Sequence, residues 1–163
     1  MLGAFDAWLL SSIGGLDSAV SGTTGGWKDI IVRVSPGVIA ALGHASYRKR
    51  TPFGEVSLSW KYAAGKFTME LGLPVGTTAT VHTPTAVAGA ALRTLHESSG
   101  DPAELWSASG GAAAGAAGVR AVEPAGAAGV RAVEPASEAV VATVAGGLGR
   151  GGSYRFEARF GGE

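Results

Sequence analysis

The chain has no cysteine and few charged residues. Among its 163 residues, 13 Lys and Arg balance 13 Asp and Glu, so charged residues make up only 16% and the formal net charge is zero. Soluble domains usually carry about 25% charged residues, and proteins that bind nucleic acid or anionic membranes carry clusters of positive charge. Disulfides and thiol chemistry are therefore excluded, and neither nucleic acid nor a membrane is expected as a partner. The compartment stays open, because many secreted proteins also lack cysteine.

The first residues lack the features of a signal peptide. The segment MLGAFDAWLLSSIGGL has no basic start, carries Asp6 within its apolar run, and is too short to span a bilayer. Its apolar residues recur at spacings of three and four, which predicts an amphipathic helix of about three turns that ends at Gly14. A helix at a chain end must bury such an apolar stripe against another domain or another chain. The stripe consists of Leu2, Phe5, Leu9 and Ile13.

The most regular pattern lies between Ala45 and Pro84. Apolar residues alternate with polar ones from Val56 to Tyr62 and from Phe67 to Leu73, with a short turn between the two runs. Alternation with a period of two is typical of strands with one buried face, and two such runs predict an antiparallel hairpin over a core. A third strand starts at Thr77. The pattern predicts a β-sandwich.

Further strands are predicted on both sides of this hairpin. Segments 25–34, 139–144 and 153–160 each carry alternating or β-branched apolar residues. Segment 86–95 fits either a strand or a short helix, and segment 98–102 is typical of a turn.

The stretch 107–136 is almost entirely Ala and Gly and contains a tandem repeat. The sequence GAAGVRAVEPA at 115–125 recurs unchanged at 126–136. Two copies are too few for a solenoid, and each contains a proline. We expect one GVRAVEP copy to form a strand and the other to be looped out, and either copy could fill the strand position.

The order of these segments resembles a known family. The chain contains in succession MLGAFDAWLL, GWKDIIVRVSPG, PFGEVSLSW, GKFTMELGLPVGTTATVHTP, HESSGDP, GVRAVEP and GGSYRFEA. This succession is similar to the C-terminal region of bacterial-type α-L-rhamnosidases, glycoside hydrolase family 78. The resemblance covers nearly the whole chain outside the Ala/Gly stretch. It implies an α/α barrel that carries catalysis, followed by an antiparallel β-sandwich.

The resemblance assigns each part of the chain a place in that architecture. Residues 1–15 would be the remnant of the final barrel helix, and residues 25–163 the sandwich, with 107–136 as a low-complexity insertion. The expected fold is therefore mainly β, an antiparallel β-sandwich preceded by one N-terminal α-helix. Members of the family are understood to invert configuration with two barrel carboxylates. No catalytic residue and no cofactor is therefore expected in this chain.

Carboxylates and histidines offer weaker candidates for chemistry. Glu55 and Glu70 would be diagonal neighbours roughly 7 Å apart on the polar face of the hairpin. An exposed sheet face provides no pocket that shifts a pKa, so we expect a solvated pair. His44, His82 and His96 lack the spacing of a metal site, and no metal is predicted.

Aromatic residues are the candidates for carbohydrate binding, since aromatic faces pack against sugar rings. Trp27 and Tyr47 have no settled place in the strand pattern and are the two candidates. Trp60, Tyr62 and Tyr154 fall on inward faces and are expected in the core.

The sequence thus predicts a non-catalytic C-terminal domain that supports the catalytic barrel of an α-L-rhamnosidase-like protein. One alternative is a stand-alone carbohydrate-binding module. Another is a gene fragment without independent function, which the unchanged repeat and the missing barrel both favour. The expected partner is the barrel or another chain docked on the stripe of the N-terminal helix. A carbohydrate would be the partner of the stand-alone module.

Overall fold

A computed structural model of the chain describes residues 8–18, 26–97, 103–107, 130–135, 139–145 and 152–161. Most of these residues form strands. The strands are β1 (Leu16–Ser18), β2 (Asp29–Arg33), β3 (His44–Thr51), β4 (Gly54–Ala63), β5 (Lys66–Leu73), β6 (Thr78–Pro84), β7 (Ala86–Val87), β8 (Ala90–Glu97), β9 (Ala103–Ser107), β10 (Val130–Pro135), β11 (Ala139–Ala145) and β12 (Gly152–Gly161).

The strands form two sheets. The smaller sheet has the order β1-β2-β6-β11-β10, and the larger has the order β3-β4-β5-β12-β8-β7, with β9 paired to β8. The predicted mainly β, antiparallel fold is confirmed. One pair differs, because β2 and β6 run parallel. These two strands are separated along the chain by β3, β4 and β5, which all belong to the larger sheet.

Apolar side chains from both sheets form one core. The alternation predicted between Ala45 and Pro84 is confirmed, since β4 and β5 bury every second residue. In β2 the alternating residues are buried as well, and in β12 the inward residues include Tyr154, Phe156 and Phe160. The largest fully buried side chains are Phe156, Leu16, Ile30, Ile39, Leu58, Met69 and Leu71.

A two-residue turn joins β4 to β5. Ala63 pairs with Lys66 across the hairpin, and the residues between them, Ala64 and Gly65, have φ angles of 49° and 74°. Positive φ at both central positions is the geometry that matches the twist of a two-stranded hairpin. A Cβ on Gly65 would lie 2.7 Å from the carbonyl oxygen of Phe160, so this position requires glycine.

The N-terminal helix ends where the sequence predicts. Leu9–Ile13 forms a π-helical segment, and the N–H of Gly14 donates to the carbonyl of Leu9 at 2.9 Å. The described part of this helix is therefore wound more loosely than the α-helix expected from the spacing. Leu9 and Ile13 are half-buried, whereas Leu2 and Phe5 lie outside the described residues. Within the described residues, no helix combines the length and apolar character needed to cross a membrane.

A second helix, Pro36–Leu42, is not predicted by the sequence pattern. Pro36 followed by Gly37 suggests the end of a strand, but proline also fits the first turn of a helix. Gly43 ends this helix in the left-handed conformation, with its N–H bonded to the carbonyl of Ile39. Two strands are also not predicted from the pattern: β1 of the smaller sheet, which precedes residue 25, and β3 of the larger sheet.

The ambiguous segments resolve as strands. Residues 86–95 lie in β7 and β8, which a turn at Ala88 and Gly89 joins. The second repeat copy supplies the predicted strand, because β10 spans Val130–Pro135. The first copy, segment 98–102 and residues 146–151 lie outside the described residues.

The parallel pairing of β2 with β6 places two basic side chains next to each other on neighbouring strands. Arg33 of β2 lies in register with His82 of β6, and His82 is half-buried. Burial, and secondarily the positive charge of Arg33, lower the pKa of His82 below its usual value of 6.5. The folded chain therefore holds this imidazole neutral at a pH where the unfolded chain protonates it.

The hairpin turn yields a test by exchange of glycine and alanine. Ala64→Gly removes a strained left-handed alanine and is expected to raise the free energy of unfolding by about 0.5–1 kcal/mol. Gly65→Ala is expected to lower it by about 2 kcal/mol or more, because the added Cβ meets a backbone oxygen. Gly89→Ala is the control, since its φ is 81° and an added Cβ meets no described atom within 4 Å. Urea denaturation measures all three, and equal losses at Gly65 and Gly89 would contradict the steric argument.

The lowered pKa of His82 predicts how stability depends on pH. Below about pH 6.5 the unfolded chain binds more protons than the folded chain, so the free energy of unfolding falls as the pH decreases. His82→Gln is expected to reduce this fall between about pH 8 and pH 5.5. His44→Gln is the matched control, because that side chain is exposed at the start of β3. Equal pH dependence of stability in the wild type and His82→Gln would refute the attribution of this fall to His82.

Candidate functional site

Trp27 lies at the entry to β2 and is half-buried against the core. Its φ angle of 79° is unusual for a residue with a side chain. The ammonium of Lys49 stands 5.5 Å from the centroid of the indole ring, which is within the range of a cation–π contact. One side of the indole is therefore already occupied by a charged group of the chain itself.

Tyr47 belongs to β3, the end strand of the larger sheet in the observed order. It lies in register with Leu58, and Lys49 lies in register with Val56, so both side chains share the face that carries the core. Tyr47 is half-buried, and burial raises the pKa of its hydroxyl. The two carbohydrate candidates therefore both lie near Lys49, with their rings partly turned into the protein.

Two exposed apolar residues lie at the same end of the sandwich as Trp27. Phe53, in the turn between β3 and β4, is 41% exposed, and Val75, after β5, is 45% exposed. The two turns touch, because a Cβ on Gly54 would lie 2.9 Å from the Cβ of Pro74. We call Trp27, Phe53 and Val75 the turn end. The sequence pattern misses Phe53 and Val75, since both stand beside proline and glycine in turns.

The opposite end of β2 carries the helical end, which we define as Pro36–Leu42 together with Trp8. The helix has the sequence PGVIAAL, without a polar side chain. Only Ile39 in it is buried and Val38 is half-buried, while Leu42 is 50% exposed. Trp8 is 54% exposed. It lies seven residues before Gly15, whose carbonyl accepts the N–H of Arg33 at the end of β2 at 2.6 Å. The helical end is thus an apolar surface.

The structure separates the two carboxylates that the sequence places together. Glu70 lies in register with Ser59, whereas Glu55 lies in register with Arg50 at the far end of β4. Four residues along a strand correspond to about 13 Å, so the expected separation of roughly 7 Å is wrong. The two-residue turn sets this register. Inverting glycosidases need their carboxyl groups about 6.5–9.5 Å apart.

Two ion pairs lie on the polar face of the larger sheet. The Nε of Arg155 on β12 donates to Glu70 Oε1 at 3.0 Å, and a second guanidinium nitrogen contacts the same oxygen. Lys66 lies 2.8 Å from Glu157, and its hydrogen bond lowers the pKa of that carboxyl. All four side chains are substantially accessible to solvent, so these pairs stabilise the sheet only weakly. This face has the character of a solvated surface.

The remaining candidates do not come together. His44, His82 and His96 lie on β3, β6 and β8, in two different sheets. Among the residues that the structure describes, no three acidic or histidine side chains form a group that could hold a metal ion. Trp60 and Tyr154 are buried and Tyr62 is half-buried with its ring 6.1 Å from that of Phe160, which confirms their predicted place in the core.

Comparison with known proteins gives one family. Residues 18–93 match the model described as the bacterial alpha-L-rhamnosidase C-terminal domain. None of the curated proteins matches the chain.

Two solved structures share the fold. One is the alpha-L-rhamnosidase from Dictyoglumus thermophilum, with a TM-score of 0.62 and 22% identity over 97% of this chain. Another is the Streptomyces avermitilis alpha-L-rhamnosidase complexed with L-rhamnose, with a TM-score of 0.53 and 18% identity over 92% of this chain. The chain spans only 14% and 10% of those two proteins. The match of residues 18–93 confirms the resemblance to the C-terminal region of bacterial α-L-rhamnosidases that the sequence predicts.

Proposed function

We propose that the chain is a non-catalytic domain that supports the remainder of a larger α-L-rhamnosidase-like protein. Two points favour this role. The family match is to a C-terminal domain, and the two rhamnosidases with the same fold are many times longer than this chain. In this proposal, residues 1–15 end the last helix of a preceding α/α barrel, and residues 25–163 form the supporting sandwich.

The observation that carries the proposal is the composition of the helical end. A helix that meets solvent normally shows polar side chains on its outer surface, whereas a helix that is apolar all round is normally covered. The exposed positions of Pro36–Leu42 carry only Pro, Gly, Ala and Leu. Ala40 and Ala41 are small enough to let another helix approach closely. The helical end therefore suits contact with an apolar helical surface, which an α/α barrel offers.

The carboxylates favour a non-catalytic role. Glu70 is engaged by Arg155, and Glu55 lies about 13 Å along the sheet from it. Both residues are exposed on the surface of the sheet, where no pocket encloses a substrate. The proposal thus places the acid and base of hydrolysis in the barrel.

A carbohydrate-binding module is the second candidate. The observation that favours it is the position of Trp27 and Tyr47 near Lys49, because aromatic rings with a nearby hydrogen-bond donor can bind a sugar. The partial burial of both rings reduces the surface available for stacking. We therefore rank this function below the supporting role.

Leu42→Lys tests the supporting role. In the 163-residue chain this exposed substitution is expected to change the free energy of unfolding by no more than about 0.5 kcal/mol. In a longer protein that contains the chain, it is expected to lower the stability of the catalytic part by about 1–3 kcal/mol, because a charge enters an apolar contact. Thermal inactivation of rhamnoside hydrolysis measures this. Val75→Lys, at the turn end, is the matched control, and equal effects of both variants would contradict the proposal.

Turnover and binding assays separate the two candidates. The purified chain is expected not to hydrolyse a chromogenic α-L-rhamnoside, and calorimetry with L-rhamnose is expected to show no heat of binding. Binding that Trp27→Ala abolishes would instead support the carbohydrate-binding module. Turnover that Glu70→Gln abolishes would refute a non-catalytic role.

A further inference from the structure

Strand β3 forms one edge of the larger sheet. It stands at the end of the order β3-β4-β5-β12-β8-β7, and among the described residues no strand pairs with its other side. Its eight residues pair with β4 from His44 opposite Lys61 to Thr51 opposite Gly54 without a register shift. An edge strand presents a row of backbone groups that another strand can pair with. The larger sheet can therefore be extended at β3.

The register shows which backbone groups of β3 face outward. The N–H of Tyr62 donates to the carbonyl of Gly43 at 2.6 Å, so these two opposite residues form a hydrogen-bonded pair. Hydrogen-bonded and non-hydrogen-bonded pairs alternate along antiparallel strands, so the odd-numbered residues of β3 bond to β4. The even-numbered residues direct their N–H and C=O groups away from β4, and these are His44, Ser46, Arg48 and Arg50.

Sheet edges normally carry features that hinder the pairing of another strand. Short length, a bulge, a proline and charged side chains all serve this purpose. β3 is eight residues long and contains no proline, and its pairing with β4 shows no bulge, so its charges are the feature that remains. Charge selects among partners, because it repels like charge and attracts opposite charge.

Positive charge is concentrated in the second half of β3. Arg48, Lys49 and Arg50 are consecutive, and Lys61 lies on the neighbouring strand β4. Glu55, in register with Arg50, is the one acidic residue in the sequence of these two strands. Arg48 and Arg50 are exposed, and neither forms an ion pair with another described residue. This half of the edge is therefore positive in a chain whose formal net charge is zero.

We propose that β3 binds an extended acidic segment of another polypeptide, which adds to the larger sheet as an antiparallel strand. Backbone hydrogen bonds to the outward groups of Ser46, Arg48 and Arg50 hold the segment. Acidic side chains at alternate positions of the segment lie opposite Arg48 and Arg50, because directly opposite residues share one face of a sheet. Antiparallel addition continues the pattern of the larger sheet, in which the described strands pair antiparallel.

The same charges disfavour a second copy of the chain as the occupant. Each β3 would bring three consecutive cations to the joined strands, and like charges in cross-strand pairs are destabilising. The inner side of the edge suits apolar side chains, since Ala45 and Tyr47 are half-buried and Lys49 lies 5.5 Å from the centroid of the Trp27 indole. The segment that fits β3 therefore alternates acidic with apolar β-branched residues.

A symmetric peptide tests the proposal. The sequence TVEVEVT, acetylated and amidated, carries two glutamates at the spacing of Arg48 and Arg50 and reads the same in both directions. Calorimetry with the 163-residue chain is expected to show saturable binding at up to about 1 mM peptide. The basic peptide TVKVKVT is expected to show none. Equal binding of the two peptides, or binding of neither, would overturn the proposal.

Methylated peptides separate strand addition from attraction between charges alone. In an antiparallel strand opposite Arg48 and Arg50, the glutamate N–H groups face β3 and the valine N–H groups face away from it. N-methylation of both glutamates is expected to weaken binding at least about tenfold, because ladder hydrogen bonds are lost. N-methylation of the two outer valines is expected to weaken it less than about twofold. Equal effects of the two modifications would refute antiparallel addition.

Hydrogen exchange of the backbone amides locates the bound peptide. In the free chain the amides of Tyr47 and Lys49 are expected to exchange slowly, whereas those of Ser46, Arg48 and Arg50 exchange quickly. Saturation with TVEVEVT is expected to slow the exchange of the latter three at least about tenfold. Slow exchange of all five amides in the free chain would overturn the proposal, because another segment of the chain would then occupy the edge. Slowing that follows chain concentration without peptide would overturn it in favour of a second copy.

Charge variants of the chain complete the test. Arg48→Gln with Arg50→Gln is expected to weaken binding of TVEVEVT about three- to tenfold. Arg93→Gln with Arg159→Gln is the matched control, because it removes the same charge from exposed positions on β8 and β12. Equal weakening by both pairs would refute a site at β3. Leu42→Lys, at the helical end, is expected to leave binding within about twofold, so this test is separate from that of the supporting role.

Discussion

Burial of two facing apolar sheet surfaces is the constraint on which the rest of the structure depends. β4 and β5 present Leu58 and Leu71 to the interior, β12 adds Phe156, and the smaller sheet presents Ile30 and Val32. Each of these side chains is lost to the core if its strand slips by one residue, because adjacent residues face opposite sides of a sheet. The register of every strand is therefore fixed by packing, and the polar ion pairs on the outer face follow that register.

The same constraint determines where contact surfaces can lie. The inner faces are used for the core, and the outer face of the larger sheet carries charged pairs such as Arg155 with Glu70. Large exposed apolar side chains of the described residues are found instead in turns and helices, at Trp8, Leu42, Phe53 and Val75. Among the described residues, the apolar surfaces open to contact therefore lie at the ends of the sandwich.

Alternation made the strands around Leu58 and Leu71 predictable, because the period of two reports burial directly. The helix at Pro36 was not predictable in this way, since seven apolar residues show no period and Pro-Gly also ends strands. The separation of Glu55 from Glu70 depends on the strand register set by the two-residue turn, which composition does not reveal. Sequence reasoning could identify Trp27 as a candidate but not its orientation, because neither its positive φ nor its contact with Lys49 is visible in the local pattern.

The parallel pairing of β2 with β6 also has a kinetic consequence. Asp29 accepts a hydrogen bond from the hydroxyl of Thr78, 49 positions further along the chain. The intervening residues form hairpins of the larger sheet, whose contacts are local and close quickly, whereas the β2–β6 contacts require a long loop to close first. Pairing of β2 with β6 is thus a slower step than pairing within the β3–β4–β5 hairpins of the larger sheet. We therefore expect β3, β4 and β5 to pair with one another before β2 meets β6.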